Sequence, residues 1–144
     1  MLQPDLLLTA ILCFLLGFVV FSDALKRKIY NVNIVLLAVV ALGYRFTLPA
    51  PMWLAATLYA LLVLLVGLLL WQRAYVGAGD VKLAVVCVWV VFPHWGEFVL
   101  LSALGAGVLG VWQLAWMRLT SSYDGQRSIP LGIAIAASTV YLLF

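Results

Sequence analysis

The chain has 144 residues, 67% of them hydrophobic and only 9% charged, with a mean hydropathy of +1.22. A water-soluble domain carries about 25% charged residues, so water is not the main solvent of this protein. Eight Lys and Arg against five Asp and Glu give a net charge of +3. That excess reads as cations flanking membrane spans, and nucleic-acid binding is set aside.

The apolar residues fall into long uncharged runs, each close to the roughly 20 residues a helix needs to cross a hydrocarbon core of about 30 Å. No run alternates apolar and polar residues as a β-barrel strand would. Backbone groups in lipid must be bonded internally, which leaves helices. Six spans are predicted in chain order. Leu6 to Phe21 is the first, ending at Ser22-Asp23 and followed by Lys26-Arg27-Lys28. No basic residue precedes Leu6 and no A-x-A-like site closes the run, so it is expected to remain as a span, not a cleaved signal. Val32 to Tyr44 is the second, reaching toward Leu48 before Pro49 and Pro51 mark a turn. Trp53 to Trp71 is the third, with a Trp near each end as interfacial aromatics sit.

Gln72 to Asp80 is a polar connection with Arg73 and two glycines. Val81 to Phe92 is the fourth span, and His94 to Glu97 is expected to be a tight turn after Pro93. Phe98 to Met117 is the fifth; its Ser102, Ala106 and Gly110 form a small-xxx-small stripe, expected to pack against another helix. Arg118 to Ser128 is the longest polar loop, and Ile129 to Phe144 the sixth span. No linker, soluble domain or repeat remains. The expected architecture is therefore all-α, a single transmembrane domain over 1–144 built as a bundle of about six helices.

Loops after spans one, three and five hold Lys26, Arg27, Lys28, Arg73, Lys82, Arg118 and Arg127, while the other side holds Arg45 alone. The positive-inside rule then puts those three loops in the cytoplasm and both termini outside. Cys13 and Cys87 lie inside apolar runs and make no CxxC pair, so they read as small core residues, with no metal site and no redox motif. His94 falls on the outer side, away from any metal-binding group.

Only five acids are present. Asp5 and Glu97 fall at outer ends of spans, and Asp124 in a polar turn beside Gly125, all ordinary solvated settings. Asp23 directly follows span one and Asp80 directly precedes span four, so both fall at the same cytoplasmic boundary. Two readings stand at this point. Each aspartate caps a helix or pairs with a nearby cation, or the two meet. Carboxylates about 4 Å apart at an effective dielectric near 20 repel by about 4 kcal/mol. That separates their ionisations by about three pKa units, and near neutral pH such a pair shares one proton. The ionised member can then take a proton from water while the protonated member polarises a peptide carbonyl. Gly77-Ala78-Gly79-Asp80 sets two flexible residues before one carboxylate, and is expected to be an irregular segment delivering Asp80 to a helix start.

Gly77-Ala78-Gly79-Asp80-Val81-Lys82-Leu83 is a complete GxGDxKL, and Asp23 is followed by Ile29-Tyr30-Asn31. With Ile129-Pro130-Leu131-Gly132 near the end, these segments resemble, in order, the motifs of the type IV prepilin peptidases, membrane aspartyl proteases of the GxGD type. Tyr30 stands where the family has Pro. Nothing corresponds to the N-terminal cysteine-bearing region that larger members use for N-methylation, so the resemblance is closest to the short peptidases of tight-adherence (Flp-type) pili. It implies Asp23 and Asp80 as the catalytic pair, with Gly77 and Gly79 as support for Asp80; Lys82 either tunes Asp80 or anchors the membrane boundary, and Asn31 either hydrogen-bonds near the site or simply starts span two. It also implies a prepilin substrate with a short basic leader ending in Gly ahead of a hydrophobic helix, cut at the cytoplasmic face of the inner membrane without metal or cofactor. Lys26-Arg27-Lys28 would repel such a leader and is read as a topology and anionic-lipid anchor. The rivals are a proton- or cation-coupled transporter, which would place its acids nearer the bilayer midplane, and a non-enzymatic scaffold of a secretion apparatus. The oligomeric state is not legible.

Overall fold

A computed structural model describes residues 4–26, 29–47, 52–120 and 131–144. Among the described residues the regular structure is entirely helical. The helices are α1 (Pro4–Lys26), α2 (Asn31–Phe46), α3 (Met52–Gln72), α4 (Ala78–Val91), α5 (Trp95–Thr120) and α6 (Leu131–Leu143). The side chain of Asp5, the cations Arg27, Lys28 and Arg127, the turn prolines Pro49 and Pro51, Asp124, and Ile129-Pro130 lie outside the described residues.

Three stretches are long and apolar enough to cross a membrane: Leu6–Lys26 and Met52–Gln72, of 21 residues each, and Trp95–Leu119, of 25. At about 1.5 Å per residue they reach roughly 31–38 Å, enough for a hydrocarbon core of about 30 Å. The other three are shorter, with 16 residues in α2, 14 in α4 and 13 in α6. Length and burial run in opposite directions. Among the described residues α3 buries only Ala56 and Ala60, whereas α4 buries Val81, Leu83, Cys87, Val88, Val90 and Val91. Helix α6 buries Gly132, Ala134, Ile135, Ala136, Ser138 and Thr139. A helix whose ends stop short of the interface is tolerated where protein, not lipid, surrounds it.

Helices α4 and α6 pack on each other at the centre, α1 and α2 form an antiparallel pair against them, and α3 leans on α4 while α5 leans on α6. The core joins Leu12, Leu16 and Val19 of α1, Leu37 and Ala41 of α2, Leu83 and Val88 of α4, and Ile135 and Ala136 of α6. Leu, Phe, Val and Trp side chains on the outer faces of α1, α3 and α5 stay exposed, the inside-out pattern that lipid permits and water does not. Hydroxyls buried in α6 satisfy themselves within the helix: Ser138 donates to the Ala134 carbonyl and Thr139 to the Ile135 carbonyl, both at 2.8 Å.

Three boundaries differ from expectation. Helix α1 continues past Phe21 to Lys26, so Asp23 lies within its last turn and not beyond the helix. Trp95, Gly96 and Glu97 begin α5 and are not a turn; His94 Nδ1 lies 3.3 Å from Glu97 Oε1 across that helix start. Ala78, Gly79 and Asp80 form the first turn of α4 and are not irregular. On α5 the close approach to another helix is at Gly105, outside the expected stripe, where a Cβ would come 3.2 Å from that of Ala134 on α6.

At the end of the bundle away from Asp23, Arg45 in the last turn of α2 is fully buried. Its guanidinium nitrogens have no hydrogen-bond partner among the described residues, and its Cζ sits 5.8 Å from the centre of the Phe92 ring. The ring face and the negative end of α2 offset part of the cost of burying that charge.

Candidate active site

Asp80 owes its position to the way α4 begins. Gly77 is the N-cap, with extended backbone at φ −72° and ψ 144°, and it supplies no side-chain cap. Its carbonyl takes the first helical hydrogen bond, from the Val81 N–H at 3.2 Å. Asp80 is the third helical residue, and its carboxylate turns back to accept the Gly77 N–H. This is the acidic half of a capping box, built without the usual Ser or Thr. A Cβ at position 77 would lie 2.8 Å from Asp80 Oδ2. Of the two uses of glycine expected here, close approach is the one the structure makes at Gly77, where a Cβ would push the Asp80 carboxylate aside. No described glycine has a positive φ.

Asp23 is 5% exposed. The start of α6 covers it: a Cβ at Gly132 would stand 2.8 Å from Asp23 Oδ2 and 3.0 Å from Ile29 Cδ1. Ile29 also reaches across to α4, where a Cβ at Gly79 would meet the Ile29 Cβ at 3.1 Å. One isoleucine thus lies against the backbone of both the α6 and α4 starts. The α2 start is tied to the same place by Lys82 Nζ, which donates to Asn31 Oδ1 at 3.1 Å. Tyr30, the N-cap of α2, has φ −76°, close to the value a proline ring would impose. The Tyr for Pro exchange leaves the backbone course of this loop intact.

All four helix ends, and with them Asp23 and Asp80, therefore gather at one end of the bundle. Asp80 lies in the turn ahead of the membrane-crossing part of α4. Burial first, and the negative charge of Asp23 second, push its carboxyl up from 3.8 to about 6, against the Gly77 N–H, which acts the other way. Asn31, Gly77, Gly79 and Lys82 all belong to this cluster. Gly132 and Ile29 had drawn attention only as parts of motifs; what reveals them as neighbours of Asp23 is the packing of α6 on α1. Among the described residues no group of three or more His, Cys, Asp or Glu side chains has metal-site geometry.

A helical bundle with three helices long and apolar enough to cross a membrane, and with a buried acid and a half-buried acid at one end, defines a helical membrane protein. Residues 10–111 match the type IV leader peptidase family, and no curated protein or solved structure matches the chain. The chain belongs to the type IV leader peptidase family. The match runs from α1 into α5 and stops short of α6, so the contribution of Gly132 comes from the three-dimensional packing alone.

Proposed function

We propose that the protein is an aspartyl endopeptidase that removes the short basic leader from pilin-type precursors of the Flp class, at the cytoplasmic face of the inner membrane, with Asp23 and Asp80 as its catalytic pair. The observation that carries this reading is geometric: Ile29 lies against Gly79, the neighbour of Asp80, and against Gly132, which also stands over the Asp23 carboxylate, so acids from separate helices share one end of the bundle. Family membership supports leader cleavage as the activity. The excess of cations in the loops at the aspartate end supports the cytoplasmic side.

The pair holds one proton between them. The ionised carboxylate takes a proton from a water molecule as its oxygen attacks the scissile carbonyl carbon. The protonated carboxyl donates to the carbonyl oxygen, which becomes a hydroxyl of the tetrahedral intermediate. Collapse breaks the C–N bond, the amine nitrogen takes the proton collected from water, and the carboxyl regains its own. Leader acid and mature amine are the products, and no cofactor enters. Asn31 and Lys82 hold the α2 and α4 starts together, and Gly77 and Gly79 give the Asp80 turn its close contacts.

Co-expression with a pilin-type precursor tests this. Wild type converts the precursor to the shorter mature form, while Asp23→Asn and Asp80→Asn each lose cleavage by at least 1,000-fold, on the scale of losing a general acid or base, and still insert. Processing by both inserted variants would refute the proposal.

A further inference from the structure

Between α3 and α5 the bundle is open. Helix α3 has α4 as its one substantial neighbour, and the gap it leaves is a cavity of about 430 Å³ floored by α4 and α6. Val66 and Leu70 line it from α3, Asp80 and Ala84 from α4, Ala103 from α5 and Leu131 from α6. At its far end it reaches Trp95, beyond the opposite end of α4, so it runs some 20 Å along the 14 residues of that helix. Among the described residues Asp80 is the one charged side chain in its wall. Val66 is 48% exposed, so the cavity opens sideways toward lipid.

We infer that this groove seats the apolar helix that follows the scissile bond of the substrate. The inference rests on the peptidase reading, since it takes Asp80 as the point of cleavage. A chain cut at Asp80 and continuing into the bilayer has this apolar trough directly ahead of it. The small residues Ala84 and Ala103 in the wall let a second backbone approach closely. An ion path would need polar lining along its length. A phospholipid tail in the groove would bring its phosphate beside the Asp80 carboxylate, whereas a peptide bond is neutral there. Charge therefore favours a polypeptide over lipid.

The test uses the full-length protein in membranes with a synthetic precursor carrying a Lys-rich leader, a terminal leader Gly and a 20-residue apolar helix. Cleavage by wild type is scored first, and its absence refutes the peptidase reading itself. Given cleavage, a photo-crosslinking residue is placed at Val66 or Ala103 in the Asp23→Asn protein. Leu61 and Leu68, exposed on α3 and outside the groove lining, serve as controls. Adducts to the apolar helix of the precursor from Val66 and Ala103, and not from Leu61 or Leu68, are expected. The doubly filled Val66→Trp, Ala103→Trp protein cleaves the precursor at least tenfold more slowly than wild type, with unchanged membrane insertion. Adducts to lipid or to a second copy alone, equal labelling from the control positions, or unimpaired cleavage by the filled groove would each overturn the inference while leaving the peptidase reading in place.

Discussion

Asp80 is held in an environment that opposes its own charge, and its exchange for Asn has opposite consequences for cleavage and for stability. Its carboxyl is raised to about 6 from 3.8 in the unfolded chain. The folded state therefore binds that proton more tightly. The resulting stabilisation is full below about 3.8 and is lost as pH rises through about 6. Above that, an ionised Asp80 burdens the fold. Asp80→Asn is expected to be the more thermostable protein at pH 7.5, by up to about 3 kcal/mol before the screening due a half-buried group. Its advantage closes as pH falls below 4, which thermal melts across pH 4–8 will read. Over the same range the wild-type cleavage rate falls as pH rises through the upper ionisation of the pair. With rising pH the two fall together; it is the Asp80→Asn exchange that separates them, gaining stability and losing cleavage, as where a site is kept strained for its chemistry.

Gly132 belongs to the same scale. An added methyl would stand 2.8 Å from Asp23 Oδ2 and 3.0 Å from Ile29 Cδ1, inside van der Waals contact on two sides. Gly132→Ala is expected to cut cleavage by tenfold or more with the chain still inserted, because the carboxylate must move to admit the methyl. Cleavage of the co-expressed precursor measures this, and near wild-type rates would show that Asp23 has room to spare.

Among the elements, the end of α3 explains how the polypeptide reaches the GxGD turn. The Tyr75 N–H bonds the Leu70 carbonyl at 3.0 Å and the Ala74 N–H bonds the Trp71 carbonyl at 2.8 Å. This pattern is a Schellman cap, which wants glycine at its left-handed position. Ala74 occupies that position with φ 57°, at a cost of about 1 kcal/mol. Ala74→Gly is expected to raise stability by about 0.5–1 kcal/mol with cleavage unchanged, read as a higher melting temperature. The helices themselves were legible from apolar runs, since a lipid-spanning stretch has no other backbone solution. Their ends were not. Asp23 seemed to lie outside α1, and Ala78 to Asp80 seemed irregular. Both corrections have one cause: polar residues and glycine interrupt hydropathy without interrupting backbone hydrogen bonding.

At the level of the whole molecule, seven of eight basic residues fall in or beside the connections after the first, third and fifth helices, with Lys26, Lys82 and Arg118 in the helix ends that flank them, and Arg45 is the exception. Buried under Phe92, Arg45 is a weak topological signal, so orientation is left to the other seven. Alkaline phosphatase fused after Phe144 is expected to be active, and the same reporter fused after Arg73 inactive. The reverse pattern would put the aspartates on the wrong side for a leader that has not crossed the membrane. The opposed placement of long and short helices also belongs here. Long α3 and α5 stand apart as flanks, short α4 and α6 form the floor between them, and the open trough results from that division of length.

Composition and local pattern were enough to determine a lipid-solvated helical protein and to name two of its five acids as candidates. Burial in lipid leaves the backbone few options, and a carboxylate at a membrane boundary is costly wherever it stands. Only the packed bundle decided that Ile29 and Gly132 close over Asp23, that Gly77 serves close contact and not a turned backbone, and that α3 stands away from α5. Those are relations between residues far apart in the chain, set by how helix faces fit together, and side-chain shape at a contact leaves no trace in hydropathy.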